Sequence, residues 1–252
     1  MIAAATMLLA GSANAGERPA VPRPGISFQS AETRQQQRDE GANPGMLWVE
    51  RGAELWRTPP VGGARACESC HGAADTSMKG VAARHPTVDA GSGRLLNTEG
   101  RINECRTTRQ GAPALQYESR DLIALTAYVT YQSRGMTRQV MIDGPARPFF
   151  EAGRAFYTTR QGQLDLACTQ CHDDNVGRRL RGDVISQGHS DGWPAYRLEW
   201  QTMGSLHRRL RACSLGVRAE ILDFGAPEYL ALELYLAWRG ASLPIDAPGV
   251  RK

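Results

Sequence analysis

The residues that carry chemistry are Cys168-Thr169-Gln170-Cys171-His172 and, 101 positions earlier, Cys67-Glu68-Ser69-Cys70-His71. Two cysteines separated by two residues and followed at once by histidine read as a c-type haem attachment. The two thiols add across the vinyl groups, and the adjacent imidazole reaches the iron. Two covalent haem c groups follow, with Cys67, Cys70, Cys168 and Cys171 as thioether anchors and His71 and His172 as proximal ligands. A zinc site would need two such pairs brought together. A thioredoxin-type motif would need a βαβ frame. Neither suits two motifs at equivalent places in a repeated helical frame.

Each iron then needs a sixth ligand. The residues open to that role in the first half are Met78, His85 and Cys105, and in the second His189, Met203, His207 and Cys213. The repeat arbitrates. Cys105 lies 23 residues before Tyr128, and Cys213 lies 22 before Tyr235. The two leftover cysteines thus share one structural place, just upstream of a closing helix, where small cytochromes c commonly present their distal ligand. Thiolate is a known class of haem ligand that pushes electron density onto the iron, so a His/Cys pair predicts a low potential. The competing arrangement is a Cys105–Cys213 disulfide, natural in an oxidising compartment. Equivalent positions in two separate domains make that bridge awkward.

The elements that must position these residues read as two copies of one domain. An offset of 101 places Glu50, Gly52 and Leu55-Trp56 on Glu151, Gly153 and Phe156-Tyr157. An offset of 107 places Ala124-Leu125 and Tyr128 on Ala231-Leu232 and Tyr235. Each copy has an N-terminal helix, the haem motif, loops and a closing helix. Met46–Trp56 is amphipathic, and Asp121–Tyr131 has helical spacing with an acidic start. No alternating strand pattern is seen. The fold class expected is therefore all-α, with two cytochrome c-like domains over 45–142 and 143–252, joined near Asp143–Pro148. Residues 16–44, with Pro19, Pro22 and Pro24, read as an extended arm holding a short helix over Ala31–Glu40.

The 252 residues carry a formal charge of +4 and only two lysines, Lys79 and Lys252, among 30 basic side chains. No basic run with interleaved aromatics supports nucleic-acid binding. The apolar start followed by Ala13-Asn14-Ala15 reads as a signal peptide over 1–15, although a basic n-region is missing. No later stretch approaches the ~18 apolar residues of a membrane span. Export to the periplasm is the expectation, and it suits haem attachment through CxxCH.

The paired motifs, the two lone cysteines and the run Arg208-Arg209-Leu210-Arg211-Ala212-Cys213 resemble the SoxA family, the larger cytochrome subunits of the SoxAX complex of bacterial thiosulfate oxidation. The closing Trp238-Arg239 also matches that family. The resemblance covers nearly the whole mature chain, and the intact first motif with Cys105 is similar to the dihaem members. It implies an L-cysteine S-thiosulfotransferase acting as a heterodimer with a SoxX-like monohaem cytochrome. Thiosulfate would be joined to a cysteine of a SoxYZ-like carrier protein, and two electrons would pass through the haems to an external cytochrome. It further implies that Cys213 is the distal ligand, carried as a persulfide, and that Arg209 lies at the active site. The residue chemistry points the same way. Thiosulfate is a dianion whose sulfonate suits the planar fork of arginine, and Arg208, Arg209, Arg211 and Arg218 crowd Cys213. Cations also favour a thiolate. The alternatives are a dihaem electron carrier without chemistry of its own, with a closed second haem, and a haem peroxidase, which needs a labile distal position.

Overall fold

The computed structural model describes residues 18–252. The signal segment expected over 1–15 lies outside the described residues. Ten α-helices dominate the described residues.

Two helix pairs form the frame. α2 (Met46–Arg57) packs on α6 (Arg120–Tyr131), and α7 (Arg147–Thr158) packs on α10 (Pro227–Arg239). Each crossing is tight because a glycine stands at the contact. A Cβ at Gly52 would meet the Ala124 carbonyl oxygen at 2.2 Å, and one at Gly153 would meet that of Ala231 at 2.1 Å. Only glycine allows so close a backbone approach, which offsets its entropic cost in a helix. Tyr128 and Tyr235 lie on these same contacts. α6 starts at the Ser119 hydroxyl, which accepts the Leu122 N–H, and Asp121 favours its N-terminal dipole. α10 is buried nearly all round, with Tyr229, Leu232, Leu234, Tyr235 and Ala237 in the core.

The haem motifs sit on short helices, α3 (Glu68–His71) followed by α4 (Ala74–Ser77), and α8 (Cys168–His172). α5 (Thr98–Cys105) and α9 (Leu206–Gly216) complete the two halves. The all-α expectation needs one amendment, since seven strands of two or three residues form three small sheets. β1 (Thr87–Val88) pairs with β2 (Leu95–Leu96), and β3 (Arg179–Leu180) with β4 (Asp183–Val184). β5 (Ala195–Arg197) lies between antiparallel β6 (Thr202–Gly204) and parallel β7 (Gly249–Arg251). Strands this short offer no alternation to read.

Two of these hairpins share a register. Thr87 faces Leu96 and Val88 faces Leu95, while Ala195 faces Gly204 and Tyr196 faces Met203, an offset of 108 at every position. Each hairpin runs straight into a capped helix. Asn97 accepts the Gly100 N–H at the start of α5, and Ser205 accepts the Arg208 N–H at the start of α9. Cys105 and Cys213 both lie eight residues past their caps.

The N-terminal segment is tied down rather than free. Within it, α1 (Ala31–Arg38) forms where the short helix was expected. Its Gln37 is 1% exposed. That side chain donates to Asp246 and accepts the Val250 N–H at 2.8 Å. The Arg18 guanidinium covers the Trp238 ring. The last residues also pack back on the first half, with Ile245 and Ala247 against Ala82 and Ala83. No helix among the described residues is long and apolar enough to cross a membrane.

Candidate functional site around Cys213 and its counterpart around Cys105

α8 is begun by its own side chain, with the Gln170 amide oxygen accepting the Ala167 N–H at 2.7 Å. At its end, His172 Nδ1 lies 2.7 Å from the Ser186 carbonyl oxygen. A carbonyl only accepts, so Nδ1 carries the proton and Nε2 is the nitrogen left to bind a metal. The ring also rests on Gly188, where a Cβ would come within 2.9 Å of His172 Cγ. Orientation and tautomer are thus both set. The donor set fits haem c, since all six cysteines are free, and each CxxCH motif has one lone cysteine beside it. No Cys105–Cys213 disulfide is formed.

α9 brings Arg209 and Cys213 onto one face, four residues apart. The Cys213 thiol interacts with the His172 imidazole, so the two expected axial ligands of the second haem lie near one another. Burial alone would push this thiol up. The charge of Arg209, the His172 contact and, least, the charge of Arg197 together bring it down to about 7. The other cysteines near it go the opposite way. Burial pushes Cys171 up and Cys168 up to about 12.

The first site is built alike but charged differently. Cys105, at the end of α5, interacts with Cys70, and its thiol is pushed up mainly by burial. Cys67 accepts a hydrogen bond from Gln110 at 3.6 Å, and His71 lies 5.6 Å from the Trp56 ring. His71 and Cys70 are exposed. Arg101 stands four residues before Cys105, as Arg209 stands before Cys213. Arg101 is neutralised by Glu104 at 2.5 Å and Asp89 at 2.9 Å. Among the described residues no carboxylate lies within ion-pair distance of Arg209.

The remaining residues of interest go elsewhere. Met203 belongs to the core of the α2–α6 pair, and Met78 packs against the cluster of Trp56 and Val129. His85 bonds the Val81 carbonyl, and His207 pairs with Glu233 at 3.1 Å. His189 is buried beside Gln187. Arg208 stacks on Trp200, and Arg211 stacks on Phe224 while donating to the Leu222 carbonyl. Arg239 is fully buried, bound to Asp173 at 2.5 Å and lying over Tyr157. Arg197 went unnoticed in the sequence. It lies on a strand, 16 residues before Cys213, with no motif around it.

Residues 51–137 match the family described as SoxA/TsdA, cytochrome c domain. A relative from Pseudaminobacter salicylatoxidans, an L-cysteine S-thiosulfotransferase subunit SoxA, is 42% identical over 229 residues, 90% of this chain and 80% of its own length. The chain belongs to the SoxA family. A SoxA of the same description from Rhodovulum sulfidophilum is 40% identical over 91% of this chain and 80% of that relative. The crystal structure of SoxXA from P. pantotrophus contains a chain that superposes with a TM-score of 0.88 at 38% identity, covering 92% of this chain and 87% of that one.

Proposed function

We propose that this chain is the cytochrome subunit of a periplasmic L-cysteine S-thiosulfotransferase, working with a SoxX-like monohaem cytochrome, and that Cys213 is its reacting centre. The relatives that carry this activity in their names support the reading. So does one asymmetry of the molecule. Among the described residues Arg209 beside Cys213 has no carboxylate within ion-pair distance, Glu199 acting on it only at longer range, whereas Arg101 beside Cys105 has two. An unpaired guanidinium next to an acidified thiol is a place for an anion.

The two halves are read as two cytochrome c-like domains related by an internal repeat, each with one haem and His/Cys ligation. The matching glycine contacts and hairpin registers support this. His71 and Cys105 would hold the first iron, His172 and Cys213 the second. Haem c supplies a route for two electrons toward an external cytochrome.

The overall step joins a carrier cysteine thiol to thiosulfate. One S–S bond forms, giving a cysteine S-thiosulfonate, and one proton and two electrons leave. Arg209 draws in the dianion and orients its sulfonate, so the terminal sulfur meets Cys213 in a fixed geometry. The Cys213 persulfide sulfur and the terminal sulfur of thiosulfate would join as two electrons leave. The thiol of a SoxYZ-like carrier would then attack that terminal sulfur, taking the S–SO3 unit, releasing one proton and returning the Cys213 persulfide. The Ser186 carbonyl holds the His172 imidazole, which would keep this side chain fixed as charge develops.

The test is Cys213→Met in the complex with the monohaem partner. The variant should retain both haems and accept electrons, yet fail to add thiosulfate to the carrier cysteine, read by intact mass. Conjugation at the wild-type rate would place the chemistry on the carrier and leave this chain an electron acceptor.

A further inference from the structure

The hairpin register that carries Thr87 onto Ala195 also carries Asp89 onto Arg197, Arg101 onto Arg209 and Cys105 onto Cys213. At this one place the two halves have opposite charge. In the first half the hairpin supplies an acid, and Asp89 binds Arg101 at 2.9 Å. In the second half the hairpin supplies a base. Arg197 is 5% exposed, on the central strand of its sheet, with Ala195 buried on the same face.

The two carboxylates that act on Arg197, Glu199 and Asp183, both stand largely in solvent, 67% and 47% exposed. One Arg197 nitrogen meets Glu199 at 2.7 Å, but solvent screens that carboxylate. Among the described residues the buried Nε has no hydrogen-bond partner. Trp200 lies 5.1 Å beneath the guanidinium and offers a face, not an acceptor. Arg209 is close enough for the two cations to repel, and both act on Cys213. A buried cation beside another cation, with a donor unmatched, is costly unless an anion joins them.

We propose that Arg197 is the second arginine of the Cys213 anion site, placed where the first half has Asp89, and that it and Arg209 together hold the sulfonate end of thiosulfate. The pairing explains why similar frames behave differently. An acid at position 89 closes the first site with an internal ion pair, and an arginine at 197 keeps the second open to a dianion. Arg197 is a binding and positioning residue; the sulfur that reacts is on Cys213. The inference rests on the reading of Cys213 as reacting centre, and the test separates the two.

Three variants of the haem-loaded heterodimer decide it: Arg197→Gln, Arg197→Lys and Arg197→Asp. Thiosulfate is the probe, followed both by turnover and by equilibrium calorimetry on the oxidised complex. Arg197→Gln should weaken thiosulfate binding and raise KM about ten- to a hundred-fold, as for loss of a charge-assisted contact. Arg197→Lys should restore part of that, keeping the charge but losing the fork. Arg197→Asp should pair with Arg209 as Asp89 pairs with Arg101, abolishing thiosulfate binding in a folded, haem-loaded protein. The salt dependence of KM should flatten in Arg197→Gln. Unchanged KM and binding in Arg197→Gln and Arg197→Asp overturn the proposal. So does a shift confined to the potential of the second haem, which would assign Arg197 to a carboxylate of the cofactor. Either result leaves the Cys213 reading intact if Cys213→Met still fails to conjugate.

Discussion

His172 donates its Nδ1 proton to the Ser186 carbonyl oxygen across 2.7 Å, and Gly188, two residues further on, lets the ring lie against the backbone. The segment that fixes the tautomer of this ligand therefore also fixes its tilt. Gly188 has a φ of +73°.

Gly188→Ala should disturb the ligand from both sides. It places a methyl 2.9 Å from His172 Cγ and puts an L residue at positive φ. Strain of this kind costs about 1–3 kcal/mol. On the proposed ligation, the second haem should stay attached through Cys168 and Cys171 but lose the low-spin electron paramagnetic resonance signal expected of it. Gly177→Ala is the control, with a φ of +81° and nothing within 4 Å of the added carbon. It should lose stability without the spectral change. Identical spectra in both variants would show that the Gly188 contact does not set the ring.

On the proposed ligation, Cys105→Met should raise the potential of the first haem, because thioether ligation raises potentials where thiolate lowers them. Thiosulfate turnover should stay largely intact, since Arg101 is already neutralised by Asp89 and Glu104. Redox titration of each haem alongside turnover checks this. A loss of activity as deep as that of Cys213→Met would contradict the division of labour between the halves.

Arg239→Gln should act on stability, not on substrate. The side chain is 0% exposed and holds Asp173, the residue directly after His172, while lying over Tyr157. Asp173 is 23% exposed and keeps the Tyr157 hydroxyl at 3.0 Å, so the cost is the charge-assisted hydrogen bond of the buried guanidinium, about 1.5–3 kcal/mol. Thermal denaturation should show a drop, with the KM for thiosulfate unchanged in whatever protein folds. A raised KM with normal stability would place Arg239 at the anion site.

The cytochrome c character was legible because covalent haem attachment demands adjacent residues, and the chain writes that demand as Cys-x-x-Cys-His. The helix pairs were legible too, since Gly52 and Gly153 must both be glycine where the Ala124 and Ala231 carbonyls approach. The hairpins were not. Between Thr87 and Cys105 and its counterpart at offset 108, Arg101 and Cys105 alone recur, as Arg209 and Cys213. Backbone pairing in two-residue ladders is indifferent to side chain, so Asp89 could become Arg197 without trace in the pattern. Asymmetry between the sites therefore became visible only once the register was known. His207 illustrates the converse. It suited a ligand role by position, but the Gly225 N–H donates to its Nδ1 and its other nitrogen faces Glu233.

That last contact belongs to a buried acidic pair with a pH signature. Glu99 on α5 and Glu233 on α10 meet in the core, near Glu118 and Arg138. Burial, then the charge of Glu233, pushes the Glu99 carboxyl up to about 8. Glu233 goes down despite its burial, because His207 and the Asn97 amide, at 3.0 Å, hold it ionised. The sign follows from the protons bound. An unfolded glutamate titrates near 4.3, so between about 4.3 and 8 the native chain holds a proton at Glu99 that the unfolded chain has lost. The stability tied to Glu99 is fully present below the unfolded pKa and is lost as pH rises toward 8, by at most about 1.4 kcal/mol per unit. Glu99→Gln mimics the protonated acid at every pH. Relative to wild type it should therefore gain stability from pH 5 to pH 8, read as a widening difference in Tm between the two proteins. Parallel pH profiles would mean that Glu99 is ionised in the native core and that the charge of Arg138 outweighs that of Glu233.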